Sequence, residues 1–232
     1  MDRLELLRSV PIFAQLKNEH LSLLAEGMGT QVFERGTTIF HQGSVGDVFY
    51  IIVTGQVRIY TISEIGQELS VMICRDGDFF GEFALFDGQP RSASAVTMWR
   101  TEVRTLTRTT LRRAIRALPD IALVMLETMS GRIRQTNIYM EHLLSHSAPQ
   151  RVVRRLLDLA EHYGVSDGEA TRIDLRLTQD DLASLAGTTR ETVNRVLASL
   201  RDQGLIRVER ARVSVLNLSR LEQSLDKSLD IA

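Results

Sequence analysis

Residues 177–206 read "LTQDDLASLAGTTRETVNRVLASLRDQGLI". Thr178 is placed to cap a helix, with Asp180 and Asp181 in the first turn, where the helix dipole favours negative charge. Leu182, Leu185 and Ala186 form one apolar face. Gly187 ends the helix, because glycine accepts the left-handed backbone that a C-terminal cap needs. Thr189 caps a second helix, in which Val193, Val196, Leu197 and Leu200 recur at i, i+3, i+4 and i+7 and must face inward. Arg190, Glu191, Asn194, Arg195 and Ala198 are left on the outer face. Two short helices, a glycine turn and an outward polar second helix make a helix-turn-helix pattern.

That outer face suits the major groove of DNA. Arg190 and Arg195 can grip guanine O6 and N7, and Glu191 can accept from cytosine N4. Thr189 and Thr192 can hold phosphates, which positions a helix without reading sequence. Thr178 and Asn194 complete the candidate DNA-contacting set. Overall charge gives no help, since 28 Lys and Arg stand against 29 Asp and Glu. The basic excess is local: Arg190, Arg195, Arg201, Arg207, Arg210 and Arg212 face only Glu191, Asp202 and Glu209 across residues 189–212. The following "GLIRVERARVSVLNL" (204–218) predicts a hairpin beside the helix, a wing that sets Arg207, Arg210 and Arg212 near the DNA backbone. An ordinary solvated helix pair would need no such cluster.

Upstream, "SHSAPQ" (145–150) is polar, contains a proline and predicts a hinge. After it come a helix over 150–163, a Gly- and Asp-bearing loop over 164–170 and a short strand pair. Before it, Pro119 suits a helix start. Ala122, Leu126, Met129, Ile133, Thr136, Met140 and Leu143 follow at 4-3-4-3-4-3 spacing, a heptad seam that predicts helix-to-helix pairing of two chains. Thr136 is polar within that seam, with Asn137 beside it. Residues 1–110 are different again. A helical prelude over 3–28 leads into short β-type runs separated by glycines, which predicts a sandwich or jelly roll. The chain thus reads as α+β, with domains at 1–118, 119–146 and 147–232.

One stretch of the β-region carries chemistry. "FGEFALFDGQPRSASA" (80–95) places Gly81 and Glu82 at one end and Arg91 and Ser92 at the other. A small, anionic, hydroxylated ligand fits between such pairs, because a buried monoanion needs a paired arginine. A Glu82–Arg91 ion pair without a ligand is the alternative.

A β-rich domain, a long heptad helix and a C-terminal winged helix-turn-helix, in that order, resemble the CRP/FNR superfamily of bacterial transcription regulators. "GEFALFDGQPRSASA" looks like the family's phosphate-binding cassette, and "TTRETVNRVL" like the recognition helix of its cAMP receptor branch. The resemblance implies an N-terminal β-roll that binds a cyclic nucleotide, a long dimerisation helix and a DNA-binding C-terminal domain. It implies cAMP as allosteric effector, with cGMP as the alternative. Arg91 and Ser92 would take the cyclic phosphate and Glu82 the ribose 2′-hydroxyl. Gly81 would let the backbone approach, and the Phe83 and Ala84 amides would begin a short helix facing the anion. Thr136 and Asn137 would touch the base, one set from each subunit, and Arg132 would lie near Glu82. Arg190, Glu191 and Arg195 stand where relatives read a TGTGA-like half-site, so a homodimer would read a palindrome. RNA polymerase is the further partner the resemblance implies, with the 164–170 loop a place for that contact. Asp180 and Asp181 are a departure, being more acidic than in some relatives.

Other classes are disfavoured. Cys74 is the one cysteine, too few for an iron–sulfur cluster in a single chain. His41 is the only histidine between the prelude and the long helix, and a phosphate clamp is superfluous in a haem sensor. His142 and His146 stand i, i+4 with no further metal ligand in view, and no set of residues suggests an enzyme acting on cyclic nucleotides. Cys74 and Trp99 read as core or strand residues. No signal sequence or membrane-length apolar run stands out, so a cytoplasmic protein without metal or haem is the expectation. A regulator of the same fold that needs no effector remains the nearest rival.

Overall fold

The structure, a computed structural model, describes residues 3–10, 13, 16–209 and 211–225. Arg210 of the expected wing lies outside the described residues. The chain divides into two compact units between Thr136 and Asn137.

In the first unit α1 (Arg3–Ser9) and α2 (Asn18–Glu26) precede β1 (Gly29–Phe33), β2 (Thr38–Phe40), β3 (Val48–Thr54), β4 (Val57–Ile62), β5 (Glu68–Cys74) and β6 (Phe79–Phe80). Then come α3 (Phe83–Asp87), β7 (Ser94–Thr97), β8 (Thr101–Thr107), α4 (Arg108–Ala117) and the long α5 (Asp120–Ser145). The strands form two antiparallel four-stranded sheets, ordered β1-β8-β3-β6 and β2-β7-β4-β5. Side chains alternate across a strand, and in β3 both faces are covered. Tyr50 and Ile52 join Val57, Ile59, Cys74 and Ala95 of the other sheet in one cluster. Phe49 and Ile51 join a second cluster with Leu21 of α2, Leu111 of α4 and Ile121 of α5. That double burial is why "VFYIIV" is a nearly continuous apolar run.

The expected β-roll is present, with differences in detail. The prelude is two helices. β1, β6 and α4 were not expected. For α4 a signal exists in the i, i+3, i+4, i+7 spacing of Leu111, Ala114, Ile115 and Leu118. Trp99 is neither core nor strand: it is half-buried in the turn between β7 and β8, with the Arg35 guanidinium 5.0 Å from its ring centre. Cys74 is fully buried on β5, and burial pushes its thiol well above the ordinary range.

The heptad seam on α5 is also corrected. Ile121 and Met125 are buried, and Val124 and Met129 pack on the same core. Those residues are occupied by the helix's own domain, so Met129 cannot belong to a free seam. The exposed apolar residues are Leu123, Leu126, Ile133, Ile138, Met140 and Leu144. All of these but Ile138, with Ser130 and Asn137, give a stripe at 123, 126, 130, 133, 137, 140 and 144. Leu126, Ile133 and Met140 stand as expected, while the alternate positions move one residue on.

The second unit contains α6 (Ala148–Tyr163), β9 (Gly164–Asp167), β10 (Ala170–Ile173), α7 (Gln179–Ala186), α8 (Arg190–Asp202), β11 (Ile206–Glu209), β12 (Arg212–Val215) and α9 (Leu218–Gln223). The break after α5 is two residues, His146 and Ser147, because Gln150 accepts from the Ser147 amide at 2.9 Å and starts α6 at once. The expected loop at 164–170 is largely strand: β9 and β10 pair directly and extend the β11–β12 wing into one sheet, ordered β11-β12-β10-β9.

Ile52 has no exposed surface between the two sheets of the first unit. Ile52→Ala should lower stability by about 2–5 kcal/mol in urea denaturation. A loss below about 1 kcal/mol would mean that the two sheets do not close on this residue.

Candidate functional site

In the first unit the glycine-acid and arginine-hydroxyl pairs do come together, but the ligand-free Glu82–Arg91 ion pair is not formed, and Arg132 takes Glu82 instead. Arg91 is 6% exposed. Its Nη1 donates to the Gly81 carbonyl at 2.5 Å and its Nη2 to the Val48 carbonyl at 2.8 Å. The guanidinium lies 4.2 Å from the centre of the Phe40 ring and 5.8 Å from that of Tyr50. Tyr50 in turn stacks on Phe80. Gly81 has φ +81, and a Cβ there would stand 2.8 Å from Arg91 Nη1, so both backbone and space call for glycine. Gly46 closes the other side, where a Cβ would collide with Arg91 Nε.

Two features make Arg91 incomplete. Its Nε is buried without a hydrogen-bond partner. Among the described residues no carboxylate lies within ion-pair distance of it. Burial pulls its pKa below the ordinary value, with the Tyr50, Asp47 and Glu82 charges opposing. A buried cation held only by carbonyl dipoles can accept an anion as the missing partner. The residues present therefore fit a singly charged phosphate.

Glu82 does not pair with Arg91. It is 4% exposed and forms an ion pair with Arg132 of α5. Arg132 also donates to the Phe79 carbonyl at 2.7 Å and lies over the Phe79 ring. Glu82 precedes α3, whose first residue Phe83 is 46% exposed, while Ala84 is buried. Ser92 is exposed at the rim. Thr136 is exposed on α5, one turn after Arg132, and its hydroxyl donates to the Arg132 carbonyl at 3.0 Å. Asn137 is the next residue of that helix and is also exposed.

Arg108 is a site residue that no local signal points to. Its Nη2 donates to the Ala84 carbonyl at 2.5 Å and lies 3.3 Å from that of Gly46, so it ties α3 to the loop beside Arg91. Phe40 and Tyr50, the aromatic floor under Arg91, were likewise hidden among other apolar strand residues.

The second unit places the helix-turn-helix residues as the local signals require. Thr178 caps α7 and shares a capping box with Asp181, so its hydroxyl is already engaged. Gly187 has φ 59 and ends that helix. Thr189 caps α8 by accepting from the Thr192 amide. Val193, Val196, Leu197 and Leu200 are buried, and Arg190, Glu191, Asn194 and Arg195 are exposed. Thr192 is partly covered. Arg190 lies 3.4 Å from Asp180, which gives that departure a local role. Hydrogen bonds from its own backbone amide and from the Thr189 hydroxyl hold the Glu191 carboxyl below its ordinary pKa. It stays an ionised acceptor near neutral pH. His142 and His146 form an edge-to-face ring pair, and no group of three or more His, Cys, Asp or Glu side chains is arranged to hold a metal among the described residues.

Both units match families of known proteins. Residues 30–117 match the cyclic nucleotide-binding domain family, and residues 150–224 match the Crp-like helix-turn-helix domain family. The chain is 35% identical over 217 residues to a CRP-like cAMP-activated global transcriptional regulator of Mycobacterium tuberculosis, covering 94% of this chain and 97% of that protein. It is 34% identical over 193 residues to a global nitrogen regulator of Synechococcus elongatus, covering 82% and 87%. The structure of FixK2 from Bradyrhizobium japonicum shares the fold, with a TM-score of 0.76, 24% identity and coverage of 84% and 96%.

Removing Arg132 would leave the Glu82 carboxylate buried without its partner. Arg132→Leu should therefore destabilise the first unit by about 3–5 kcal/mol, read as a lower unfolding midpoint. The double variant Arg132→Leu with Glu82→Leu should regain part of that loss. A single variant as stable as the wild type would mean that the pair does not form in solution.

Proposed function

Starting from the fact that this chain belongs to the CRP/FNR family of transcription regulators, we propose that it is a homodimer whose DNA binding is controlled by a cyclic nucleotide, cAMP before cGMP. The observation that carries the effector reading is Arg91: a buried guanidinium with an orphan Nε and, among the described residues, no carboxylate within ion-pair distance. A ligand-free structural role would be better served by an ion pair, and Glu82 is engaged by Arg132 instead. In this reading the cyclic phosphate sits on Arg91 and Ser92, beside Gly81 and the Phe83 and Ala84 amides. Glu82 keeps lone pairs for the ribose 2′-hydroxyl, since a carboxylate can accept more hydrogen bonds than Arg132 supplies.

The stripe on α5 supports the dimer. Leu123, Leu126 and Ile133 are 59%, 62% and 61% exposed, which a long helix seldom leaves to water. Ser130 and Gly131 interrupt them with small side chains, and nothing lies within 4 Å of a Cβ at Gly131, so a partner helix could approach closely there. Thr136 and Asn137 would then contact the base from both subunits. A nucleotide bound this way favours one helix arrangement over another, and only such differential binding shifts a population.

On the DNA side, Arg190, Glu191 and Arg195 read a TGTGA-like half-site, Asn194 lies beside them, and Thr189, Thr192 and Thr178 face the backbone. A two-fold symmetric dimer reads two half-sites about 34 Å apart, a geometry for which the catabolite activator of this family is a standard example. RNA polymerase is the expected further partner. The chemistry is that of a regulator, not an enzyme, and no helix among the described residues is long and apolar enough to cross a membrane.

Calorimetric titration with cAMP and with cGMP tests the effector reading. The wild type should bind one of them, and Arg91→Ala should bind neither while keeping its fold. Normal affinity in that variant would sink the assignment. For the DNA reading, Arg190→Ala should weaken binding to a TGTGA palindrome by about 1–3 kcal/mol and relax the preference at one guanine. An unchanged base preference would place the readout elsewhere.

A further inference from the structure

The second unit contains a cluster that neither the effector site nor the DNA-reading face uses. Arg151, in the first turn of α6, makes three hydrogen bonds, each from a different nitrogen and each to a backbone carbonyl. Its Nε donates to Ala186 at 2.9 Å, its Nη2 to Gly187 at 2.8 Å and its Nη1 to His146 at 3.0 Å. One helical turn later, Arg155 Nε donates to the Leu185 carbonyl at 3.0 Å. The Arg155 guanidinium also lies 4.5 Å from the centre of the Tyr139 ring.

The acceptors fall in two places. Leu185, Ala186 and Gly187 are the C-terminal end of α7 and its left-handed cap, where carbonyls lack helix partners and carry the negative end of the dipole. Gly187 is two residues before Thr189, the cap of α8. Tyr139 and His146 belong to the last turns of α5 and the break after it. Two arginines on one face of α6 therefore fasten the end of the long helix to the turn that aims the recognition helix.

We propose that Arg151, with Arg155 behind it, is the positioning residue through which the end of α5 sets the placement of α8. The inference rests on the effector-controlled reading above. A change at the end of α5 moves the His146 carbonyl and the Tyr139 ring. The rigid guanidinium fork cannot keep all three carbonyls unless the Ala186–Gly187 turn moves too. Lysine at 151 keeps the charge but offers a flexible point donor in place of the fork.

The test compares DNA affinity with and without saturating cAMP, by fluorescence anisotropy on a duplex carrying a TGTGA palindrome. The wild type should show a coupling of about 5–150-fold. Arg151→Gln and Arg151→Lys should bring it to within about two-fold of unity, although both still bind cAMP. Linkage requires the same collapse when cAMP is titrated with and without DNA. Glu161→Gln, at an exposed position of α6 outside the cluster, should keep the wild-type ratio. If Arg151 merely supports the fold, its variants will weaken DNA binding equally in both conditions and leave the ratio unchanged, and the proposal falls. Should the Arg151 variants fail to fold, Tyr139→Leu removes the ring on which Arg155 lies and keeps the Arg151 hydrogen bonds. It should lower the coupling, and a wild-type ratio there also overturns the proposal. A wild type whose DNA affinity ignores cAMP, while Arg91→Ala and wild type bind it differently, would overturn control of DNA binding and this proposal together, leaving the nucleotide site intact. A wild type that binds no nucleotide would instead overturn the effector reading at its source.

Discussion

A guanidinium cannot be buried without donors satisfied and charge answered, and the first unit is arranged around that constraint at Arg91. The Gly81 and Val48 carbonyls take two of its nitrogens. Both carbonyls lie where the β3–β6 pairing has ended: it covers only Tyr50 with Phe80 and Ile51 with Phe79, Gly81 leaves β6 in the left-handed region, and Val48 is the first residue of β3. The Phe40 and Tyr50 rings supply a polarisable floor that tolerates a cation better than an aliphatic wall would. What they cannot supply is net negative charge. The fold thus holds a buried cation at some cost in solvation, and under the proposed reading a ligand with a single negative charge would recover that cost on binding.

The same device recurs. Arg108 holds Ala84 and Gly46, and Arg151 and Arg155 hold the end of α7 and the residue after α5, in each case through backbone carbonyls. Of the 28 basic residues only Lys17 and Lys227 are lysines. The choice has a physical reason at these sites. A guanidinium presents five donors in a fixed plane, so one side chain can bridge elements far apart in sequence and fix their mutual orientation. An ammonium on a flexible stem would hold a single carbonyl well and a second poorly. The carbonyls concerned are at helix ends and strand irregularities, where the backbone has acceptors to spare.

How much of this was legible follows from range. The helix-turn-helix was readable to the residue, because Thr178, Gly187 and Thr189 act on backbone within four residues of themselves. The glycine-acid and arginine-hydroxyl pairs of the candidate site were visible for the same reason. Their partners were not visible in the spacing: Glu82 and Arg91 are nine positions apart, yet Glu82 finds Arg132, fifty positions away, as only the family resemblance implied, and Arg91 finds Val48. The seam on α5 failed in an instructive way. Met129 and Leu123 are both apolar and both fit a heptad, and only the position of the β-roll core decides that Met129 is covered and Leu123 is not. Period alone cannot rank two overlapping stripes when one of them is spent on the helix's own domain.

The charges of the second unit carry the last step. Arg190 is paired with Asp180, Arg207 with Asp167 and Glu209, and Arg212 with Asp174, all on the surface. Surface pairs of this kind are worth about 0–1 kcal/mol, so a phosphate or a base edge can replace the carboxylate at little cost. Until then they cancel much of the field that a basic face would otherwise project. A DNA-reading unit built this way gives up long-range attraction to any duplex, the sequence-independent part of binding, and keeps the contacts that depend on the base met. Arg195, which has no carboxylate within ion-pair distance among the described residues, is the exception, and it lies on the outer face of α8 one turn from Glu191. An overall charge of −1 therefore suits the proposed reading: neutrality elsewhere would suppress indiscriminate binding, and the few arginines of α8 would act only at contact range.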